Sequence, residues 1–341
     1  MASVQGFPIA TPRPIAAAPV LRLPSSTRNA WIRDASTLDY PDYRDLDAWI
    51  AFSQRSVQLA RQHLLANLTE ALRRFFSPAG ENYIVVENLP VDPNLPPIPI
   101  DGVRPSSKQA VSEVVIAGIL GEWGSIVSYV NEKSGAPIHE VTPVPGMERV
   151  QSNSGRVRFG FHSDNAFLPA RFRQRGLMLY GLRNDDTATL IVTADQIFEA
   201  ASADLVASLA KPIFRHACPA SFSLSSSPAI SQPCPILWRD ELGLARVSAA
   251  SSSIEPLTTE AEGSLRRFRD LVAGLEPARI VVRPGTALLF KDDRVLHGRD
   301  PFSGLRWLQR AYFTDSLEAL REASGSDPRA FAFDARMLLA K

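Results

Sequence analysis

Cysteine and histidine are scarce in this sequence, which has two cysteines and five histidines in 341 residues. Cys218 and Cys234 lie 16 positions apart, and neither has a second cysteine or histidine at the spacing of a zinc site. A zinc finger or zinc ribbon is therefore excluded. We expect two free thiols; a disulfide that closes the Ser/Pro-rich segment between them is the alternative.

Long apolar runs and an excess of one charge are also missing. No stretch approaches the roughly 20 apolar residues that span a bilayer, and prolines interrupt the N-terminal segment where a signal peptide would be apolar. Lys and Arg number 37 against 36 Asp and Glu, so no overall field attracts nucleic acid or anionic lipid. No phosphate-binding glycine motif occurs. We expect a cytoplasmic protein, a monomer or small homo-oligomer, that binds neither nucleic acid nor membrane.

The chain before residue 138 is predicted to contain mostly helices. Residues 1–40 are rich in Pro and Ala and are interpreted as an arm that lies on the surface or is partly disordered. Residues 42–76 carry apolar side chains at the spacing of one or two amphipathic helices. "YIVVENLP" (83–90) is typical of a strand, and residues 106–130 of a mostly apolar helix.

From residue 138 the pattern changes to many short strand-like runs divided by Gly, Pro, Asn and Asp, with one helix at 258–276. Such runs indicate a sandwich or barrel. The sequence therefore predicts a mostly β, α+β protein. A single domain, 41–341, would have a helical N-terminal layer packed on a double-sheet core at about 138–317.

Candidate metal ligands occur in "FGFHSDNAF" (159–167). If this stretch is extended, His162 and Asp164 point to the same side. A polar irregularity in a buried strand is the alternative. His297, in "VLHGR", supplies a possible third ligand, whereas the other three histidines lack a carboxylate two positions away. Two His and one carboxylate form the facial triad of non-haem Fe(II) oxygenases, which leaves half of the coordination sphere open.

Two arginines follow in "HGRDPFSGLRWLQR". Arg306 and Arg310 lie nine and thirteen residues after His297, at an even separation that puts both on one face of a strand. Two guanidinium groups beside a metal suit two carboxylates, one on a dicarboxylic co-substrate and one on a substrate. A pair of surface arginines is the alternative, but Trp307 and Leu308 make the segment largely apolar.

These residues resemble a known family. "FHSDNAFLPARFRQRGLMLYGLRND" (161–185), "RPGTALLFKDDRVLHGR" (283–299) and "HGRDPFSGLRWLQRAYFTDSL" (297–317) are similar to motifs of the clavaminate synthase-like Fe(II)/2-oxoglutarate-dependent oxygenases. That group includes bacterial hydroxylases of free amino acids and is related to taurine dioxygenase. The resemblance implies a double-stranded β-helix (jelly-roll) core. It also implies Fe(II), 2-oxoglutarate and O2 as cofactor and co-substrates, and hydroxylation of an unactivated C–H of an amino acid in natural-product biosynthesis.

The resemblance also implies roles for individual residues. His162, Asp164 and His297 would bind iron, and Arg306 with Thr189 would bind 2-oxoglutarate. Arg310 would bind the α-carboxylate of the amino-acid substrate. Further residues near the substrate would be Gln151, Ser152, Asn153 and Asn165.

The chain departs from the family pattern at two places. Most amino-acid hydroxylases of the family have Glu where this chain has Asp164, and halogenating relatives have Ala or Gly, so Asp164 argues against halogenation. The segment 245–256 has Ser and Ala where relatives with basic substrates have acids, which favours a neutral side chain because an unpaired buried cation is costly. Cyclisation or desaturation at the same site and a non-catalytic binding protein are the alternatives. Residues 219–235 are a possible lid or a plain loop.

Overall fold

The computed structural model describes residues 20–219, 222, 230–250 and 253–340. Its strands are β1 (Val20–Arg22), β2 (Tyr83–Glu87), β3 (Ser125–Tyr129), β4 (His139–Val141), β5 (Phe159–His162), β6 (Gly176–Asn184), β7 (Ala188–Thr193), β8 (Phe214–His216), β9 (Leu237–Arg239), β10 (Ala245–Val247), β11 (Ile254–Pro256), β12 (Ala278–Val281), β13 (Ala287–Lys291), β14 (Val295–Arg299), β15 (Arg306–Thr314) and β16 (Ala332–Phe333). Its helices are α1 (Ser25–Ala35), α2 (Leu46–His63), α3 (Ala66–Phe76), α4 (Val111–Trp123), α5 (Ala194–Ala200), α6 (Ala203–Leu209), α7 (Thr259–Gly274), α8 (Glu318–Ser324) and α9 (Ala335–Leu339), with single 3₁₀ turns at Lys133–Gly135 and Ala170–Phe172.

Two sheets form the core. The large sheet has the order β1-β2-β13-β6-β15-β3-β16, and β4 pairs with β15 as well. The small sheet has the order β12-β7-β14-β5. Strands β4, β5, β6 and β7 alternate between the large and the small sheet. Strand β12 of the small sheet is then followed by β13 (large), β14 (small) and β15 (large). This is a mixed α/β protein whose consecutive core strands cross from one sheet to the other.

The central strands of the large sheet are buried on both faces, which explains the apolar runs in β6 and β13. Every residue of β13 is buried, as is every residue of β15 except Thr314. Helices α2 and α4 pack against each other in the layer that covers this sheet, and α4 is buried along ten successive residues. A Cβ at Gly118 would lie 2.5 Å from the Ser56 carbonyl oxygen, so the small residue permits the close approach of the two helices.

Several predicted elements are confirmed, and others are corrected. Residues 42–76 contain the two helices α2 and α3, and α7 lies where a helix was expected. The predicted helix at 106–130 ends at Trp123, because Gly124 is extended and residues 125–127 pair with β15. Helices α5 and α6 were not predicted in the β region; both are only seven residues long.

The predicted N-terminal arm, residues 1–40, differs from the structure in its second half. Residues 20–22 pair with β2, and α1 follows with Trp31 fully buried. Trp31 stacks on the ring of His63, so apolar contacts fix the segment to the helical layer. Residues 1–19 lie outside the described residues, as do 220–221 and 223–229 of the possible lid.

Two further expectations concern cysteine and membranes. Cys218 and Cys234 are both free thiols, as predicted. In the part of the chain that the structure describes, none of the helices combines the length and the apolarity needed to span a bilayer.

Candidate active site

His162, Asp164 and His297 come together at the small sheet. His162 is the last residue of β5 and is the direct cross-strand partner of His297 on β14, with ring centroids 4.2 Å apart. Asp164 lies in the turn after β5, not in the strand, so its approach to His162 does not depend on strand alternation. Asn165 has a positive φ of 54°, a conformation that Asn tolerates better than most residues, and it helps to form this turn.

The three side chains form a metal-sized cluster. One ligand atom from each lies within 4.8 Å of the others, and all three residues are buried. His162 Nε2 is 3.3 Å and His297 Nε2 is 3.8 Å from Asp164 Oδ1. His162 Nδ1 lies 2.8 Å from the Gly160 carbonyl oxygen, which only accepts, so Nδ1 carries the proton and Nε2 presents its lone pair to the cluster.

The charge states also suit a divalent metal. Burial, together with the nearby His162, lowers the pKa of His297 to about 3, so this imidazole is neutral at pH 7. Burial raises the pKa of Asp164, but the charge of the Arg310 guanidinium outweighs this effect and holds the pKa well below its usual range. A neutral imidazole and a carboxylate are the forms in which these side chains bind metal.

Asp292 supports this cluster and was missed by the sequence analysis. Its Oδ1 lies 3.6 Å from His297 Nδ1 and accepts a hydrogen bond from the Asp164 backbone N–H at 3.2 Å. Gln174 Nε2 donates to the other oxygen of Asp292 at 2.7 Å. The carboxylate thus lies behind one candidate ligand and holds the backbone of another, a common arrangement around metal-binding histidines. The only available signal was the acidic pair "DD" five residues before His297.

A small pocket opens beside the cluster, and both predicted arginines line it. Its other lining residues are Asn153, Phe159, His162, Leu179, Thr189, His297, Gly298 and Arg299. Thr189 on β7 is the cross-strand partner of Arg299 on β14, which brings a hydroxyl and a guanidinium to the same end of the pocket.

Arg306 is a buried cation without a carboxylate partner in the described part of the chain. Its side chain is buried, and Nε and Nη1 have no hydrogen-bond partner among the described residues. Burial and the neighbouring Arg299 lower the pKa of Arg306 to about 9, which leaves it charged at pH 7. An unpaired buried guanidinium that faces a pocket is a site for an anion.

Arg310 also lines the pocket, and its guanidinium is paired with two carboxylates. Its Nη1 donates to Asp164 Oδ2 at 2.8 Å, and its Nη2 donates to Glu132 Oε1 at 2.6 Å. Nη2 also lies 2.8 Å from His139 Nδ1; burial, with the charge of Arg310, lowers the pKa of His139 well below its usual range, so this nitrogen accepts. Glu132, in the turn after β3, was not identified from the sequence.

The remaining predicted substrate residues divide into two groups. Asn153 lines the pocket. Ser152 accepts a hydrogen bond from Arg299 through its backbone carbonyl, and Gln151 is exposed. Asn165 points away from the pocket, where its amide donates to Gln174 Oε1 at 2.8 Å. Neither Gln151 nor Asn165 lines the described pocket. Gln151 lies at the protein surface, and the turn after β5 directs the Asn165 side chain towards the protein interior.

Comparison with known proteins identifies the family. The chain is 34% identical over 271 residues to the L-asparagine oxygenase of Streptomyces coelicolor, which covers 74% of this chain and 77% of the relative. The chain belongs to the clavaminate synthase-like Fe(II)/2-oxoglutarate amino-acid oxygenases. The oxygenase is also 25% identical over 309 residues to the enduracididine beta-hydroxylase of Streptomyces hygroscopicus, covering 79% of this chain and 87% of that one. No family model matches the sequence.

Solved structures agree with this assignment. An asparagine oxygenase in complex with Fe(II), 2S,3S-3-hydroxyasparagine and succinate has a TM-score of 0.79 and 26% identity, covering 92% of this oxygenase and 99% of that chain. The non-heme iron oxygenase OrfP in complex with Fe and alpha-ketoglutaric acid has a TM-score of 0.75, covering 92% and 100%; at 20% identity it supports the fold alone. The predicted family and enzyme class are thus confirmed.

Proposed function

We propose that this oxygenase hydroxylates an unactivated C–H of a free L-amino acid with an uncharged side chain, using Fe(II), 2-oxoglutarate and O2. The observation that carries this proposal is the cluster of two histidines and one carboxylate beside an unpaired, buried guanidinium. A neutral imidazole and an ionised carboxylate fit Fe(II), and the unpaired cation fits a dicarboxylate co-substrate.

His162, Asp164 and His297 would hold the iron on one face. The bound metal, with 2-oxoglutarate and O2, would supply the oxidising power that converts C–H to C–OH, giving succinate and CO2. Arg306 would bind the distal carboxylate of 2-oxoglutarate, and the Thr189 hydroxyl lies on the same pocket wall. The apolar side chains of Phe159 and Leu179 would exclude water around the reacting carbon.

Arg310 and Glu132 would bind the two ends of the α-amino acid group. Their charges are opposite, both side chains are buried, and they lie 2.6 Å apart at the cluster. A zwitterion offers a carboxylate to Arg310 and an ammonium to Glu132, so it replaces one buried ion pair with two. Binding would therefore retain the charge balance of the site.

The substrate side chain is proposed to be small and uncharged. Asp164 would be bound to the metal and Glu132 to the α-ammonium group. None of the pocket-lining residues in the described part of the chain is Asp or Glu, so a basic side chain would lack a partner. Asn153 offers an amide that can both donate and accept. A carboxamide such as that of asparagine, the substrate in the name of the 34% identical relative, matches these groups.

The test is turnover with a panel of free amino acids. Asparagine, glutamine, aspartate and arginine are each incubated with Fe(II), 2-oxoglutarate and O2, and the products are analysed by mass spectrometry together with succinate. We expect a gain of about 16 mass units on a neutral amino acid, with one succinate formed for each product. A loss of about two units would favour cyclisation or desaturation at the same site. Preferred turnover of arginine would contradict the proposed side-chain class. No turnover and no Fe(II) binding would favour a non-catalytic binding protein.

We also propose that the core is a double-stranded β-helix. Four core strands of each sheet, linked by repeated crossing between β4 and β15, support this assignment. The core at about 138–317 and the helical layer would then form one domain. The expectations of a cytoplasmic monomer or small homo-oligomer stay predictions, and size-exclusion chromatography tests the second.

A further inference from the structure

Tyr312 lies behind the candidate metal cluster, two residues after Arg310 on β15. Its hydroxyl is 3.0 Å from Asp164 Oδ2 and 3.2 Å from Glu132 Oε2. The side chain is 2% exposed, and its ring packs edge-on against the rings of His139 and Tyr129. A tyrosine phenol carries its proton at pH 7, so the hydroxyl donates towards these carboxylate oxygens.

The two oxygens of Asp164 have different surroundings. Oδ1 faces the Nε2 atoms of His162 and His297 at 3.3 and 3.8 Å. Oδ2 accepts hydrogen bonds from Arg310 Nη1 at 2.8 Å and from the Tyr312 hydroxyl at 3.0 Å. Two donors on Oδ2 oppose rotation of the carboxylate and leave Oδ1 as the oxygen directed at the metal position.

Of these two donors, Tyr312 makes fewer other polar contacts. Arg310 is the proposed partner of the substrate carboxylate and contacts Glu132 and His139 as well. The phenol has one proton for two carboxylate oxygens, and no other polar atom of the described residues lies within hydrogen-bond distance. The rings of Tyr129 and His139 pack against the Tyr312 ring and hold its hydroxyl beside Asp164.

We infer that Tyr312 is a positioning residue that fixes the carboxylate of Asp164 for binding a divalent metal through one oxygen. This inference rests on the proposed function, because it assumes that Asp164 is a metal ligand.

The test compares Tyr312→Phe with a matched control, Tyr129→Phe. Tyr129 is equally buried, lies 6.2 Å from the Tyr312 ring, and donates its hydroxyl to the Phe172 backbone carbonyl at 2.8 Å, away from the candidate ligands. The affinity for Co(II) is measured by titration calorimetry, and the visible absorption of bound Co(II) reports the coordination geometry. The unfolding midpoint of each variant is measured in EDTA.

Loss of the Tyr312 hydroxyl is expected to weaken Co(II) binding about 10- to 100-fold and to change the Co(II) spectrum, as is typical for groups that orient a metal ligand. Tyr129→Phe is expected to keep the wild-type affinity and spectrum. A purely structural role would lower the unfolding midpoint in EDTA without changing either metal readout, and would overturn the inference. Absence of Co(II) binding by the wild-type protein would instead contradict the proposed function itself.

A second measurement covers the case in which Tyr312→Phe does not fold. The chain has six tyrosines, so wild-type protein labelled with [¹³Cζ]tyrosine gives a small set of NMR signals. Adding Zn(II) should shift one tyrosine signal other than that of Tyr129, which the Tyr129→Phe variant assigns. If no tyrosine signal responds to Zn(II) that the protein demonstrably binds, Tyr312 does not contact a metal ligand and the inference is wrong.

Discussion

Arg306 and Arg310 should affect stability in opposite directions, although both are buried arginines four residues apart on β15. Arg306 has no carboxylate partner in the described chain, whereas Arg310 is paired with both Asp164 and Glu132. We therefore expect Arg306→Met to stabilise the metal-free protein and Arg310→Met to destabilise it.

The magnitudes follow from the burial of the two charges. Burial lowers the pKa of Arg306 from its ordinary value to about 9, which corresponds to an unfavourable free energy of about 5 kcal/mol at most. The folded-state pKa of this base is lowered, so the full penalty is present below about pH 9 and is relieved only above it. Replacement by Met should recover part of this, about 2–4 kcal/mol, or roughly 5 °C in Tm. Removing Arg310 leaves two buried carboxylates unpaired and should lower the free energy of unfolding by about 3–5 kcal/mol.

Urea unfolding at pH 7.5 in EDTA measures both effects, with the wild-type protein as reference. The same variants are then tested with Zn(II) and 2-oxoglutarate. At one hundred times its Kd, the ligand should stabilise the wild-type protein by about 2.7 kcal/mol, and this gain should disappear in Arg306→Met. A less stable Arg306→Met protein in EDTA, or one that keeps the full response to 2-oxoglutarate, would refute the assignment of Arg306 as an unpaired anion anchor.

Three further predictions concern single carboxylates. Asp164→Ala should abolish hydroxylation and weaken Co(II) binding at least about 100-fold in calorimetry; undiminished turnover would reject it as a ligand. Glu132→Gln should raise the KM for the amino acid about tenfold or more by removing a charged partner, while the Kd for 2-oxoglutarate stays unchanged. Burial and the nearby Glu113 raise the pKa of Glu140 to about 7, so the folded protein holds an extra proton between about pH 4.5 and 7 and loses stability as pH rises through this range. Glu140→Gln should remove up to about 3 kcal/mol of that decline in urea unfolding across pH 5–8; an unchanged slope would contradict it.

The sequence predicts the candidate metal cluster well because its residues lie in distinctive surroundings. Only five histidines occur, and only His162 has a carboxylate two positions away. The strand before His297 and the turn after it are recognisable from local composition. The short spacing from His162 to Asp164 keeps the two side chains close along the chain, and the even spacing from Arg306 to Arg310 puts both arginines on one face of β15.

The groups that surround the cluster were missed because their contacts are distant in sequence. Glu132 meets Arg310 across 178 positions, and Asp292 meets the Asp164 backbone across 128. The Glu132 contact depends on the register of β15 against β3 and β4, and the Asp292 contact depends on the pairing of β14 with β5. Local composition does not determine either pairing. The pairing of Arg310 with Asp164 and Glu132 could not be predicted for the same reason. The spacing of Arg310 in the sequence predicts the direction of its side chain but not the groups that it contacts.

The two faces of β15 explain how the fold tolerates an unpaired cation at Arg306. On the opposite face, Trp307 Nε1 donates to Glu140 at 2.5 Å, and Gln309 Nε2 donates to both Glu113 and Glu140 at 2.9 and 3.0 Å. All of these groups are buried, so breaking their hydrogen bonds would leave unsatisfied polar atoms at a cost of about 1–3 kcal/mol each. The hydrogen bonds of Trp307 and Gln309 therefore fix the position of β15. Because β15 is fixed, the Arg306 guanidinium stays in the pocket rather than reaching solvent. An anionic co-substrate that pairs with this guanidinium removes the unfavourable free energy of its burial, and this gain contributes to the binding affinity.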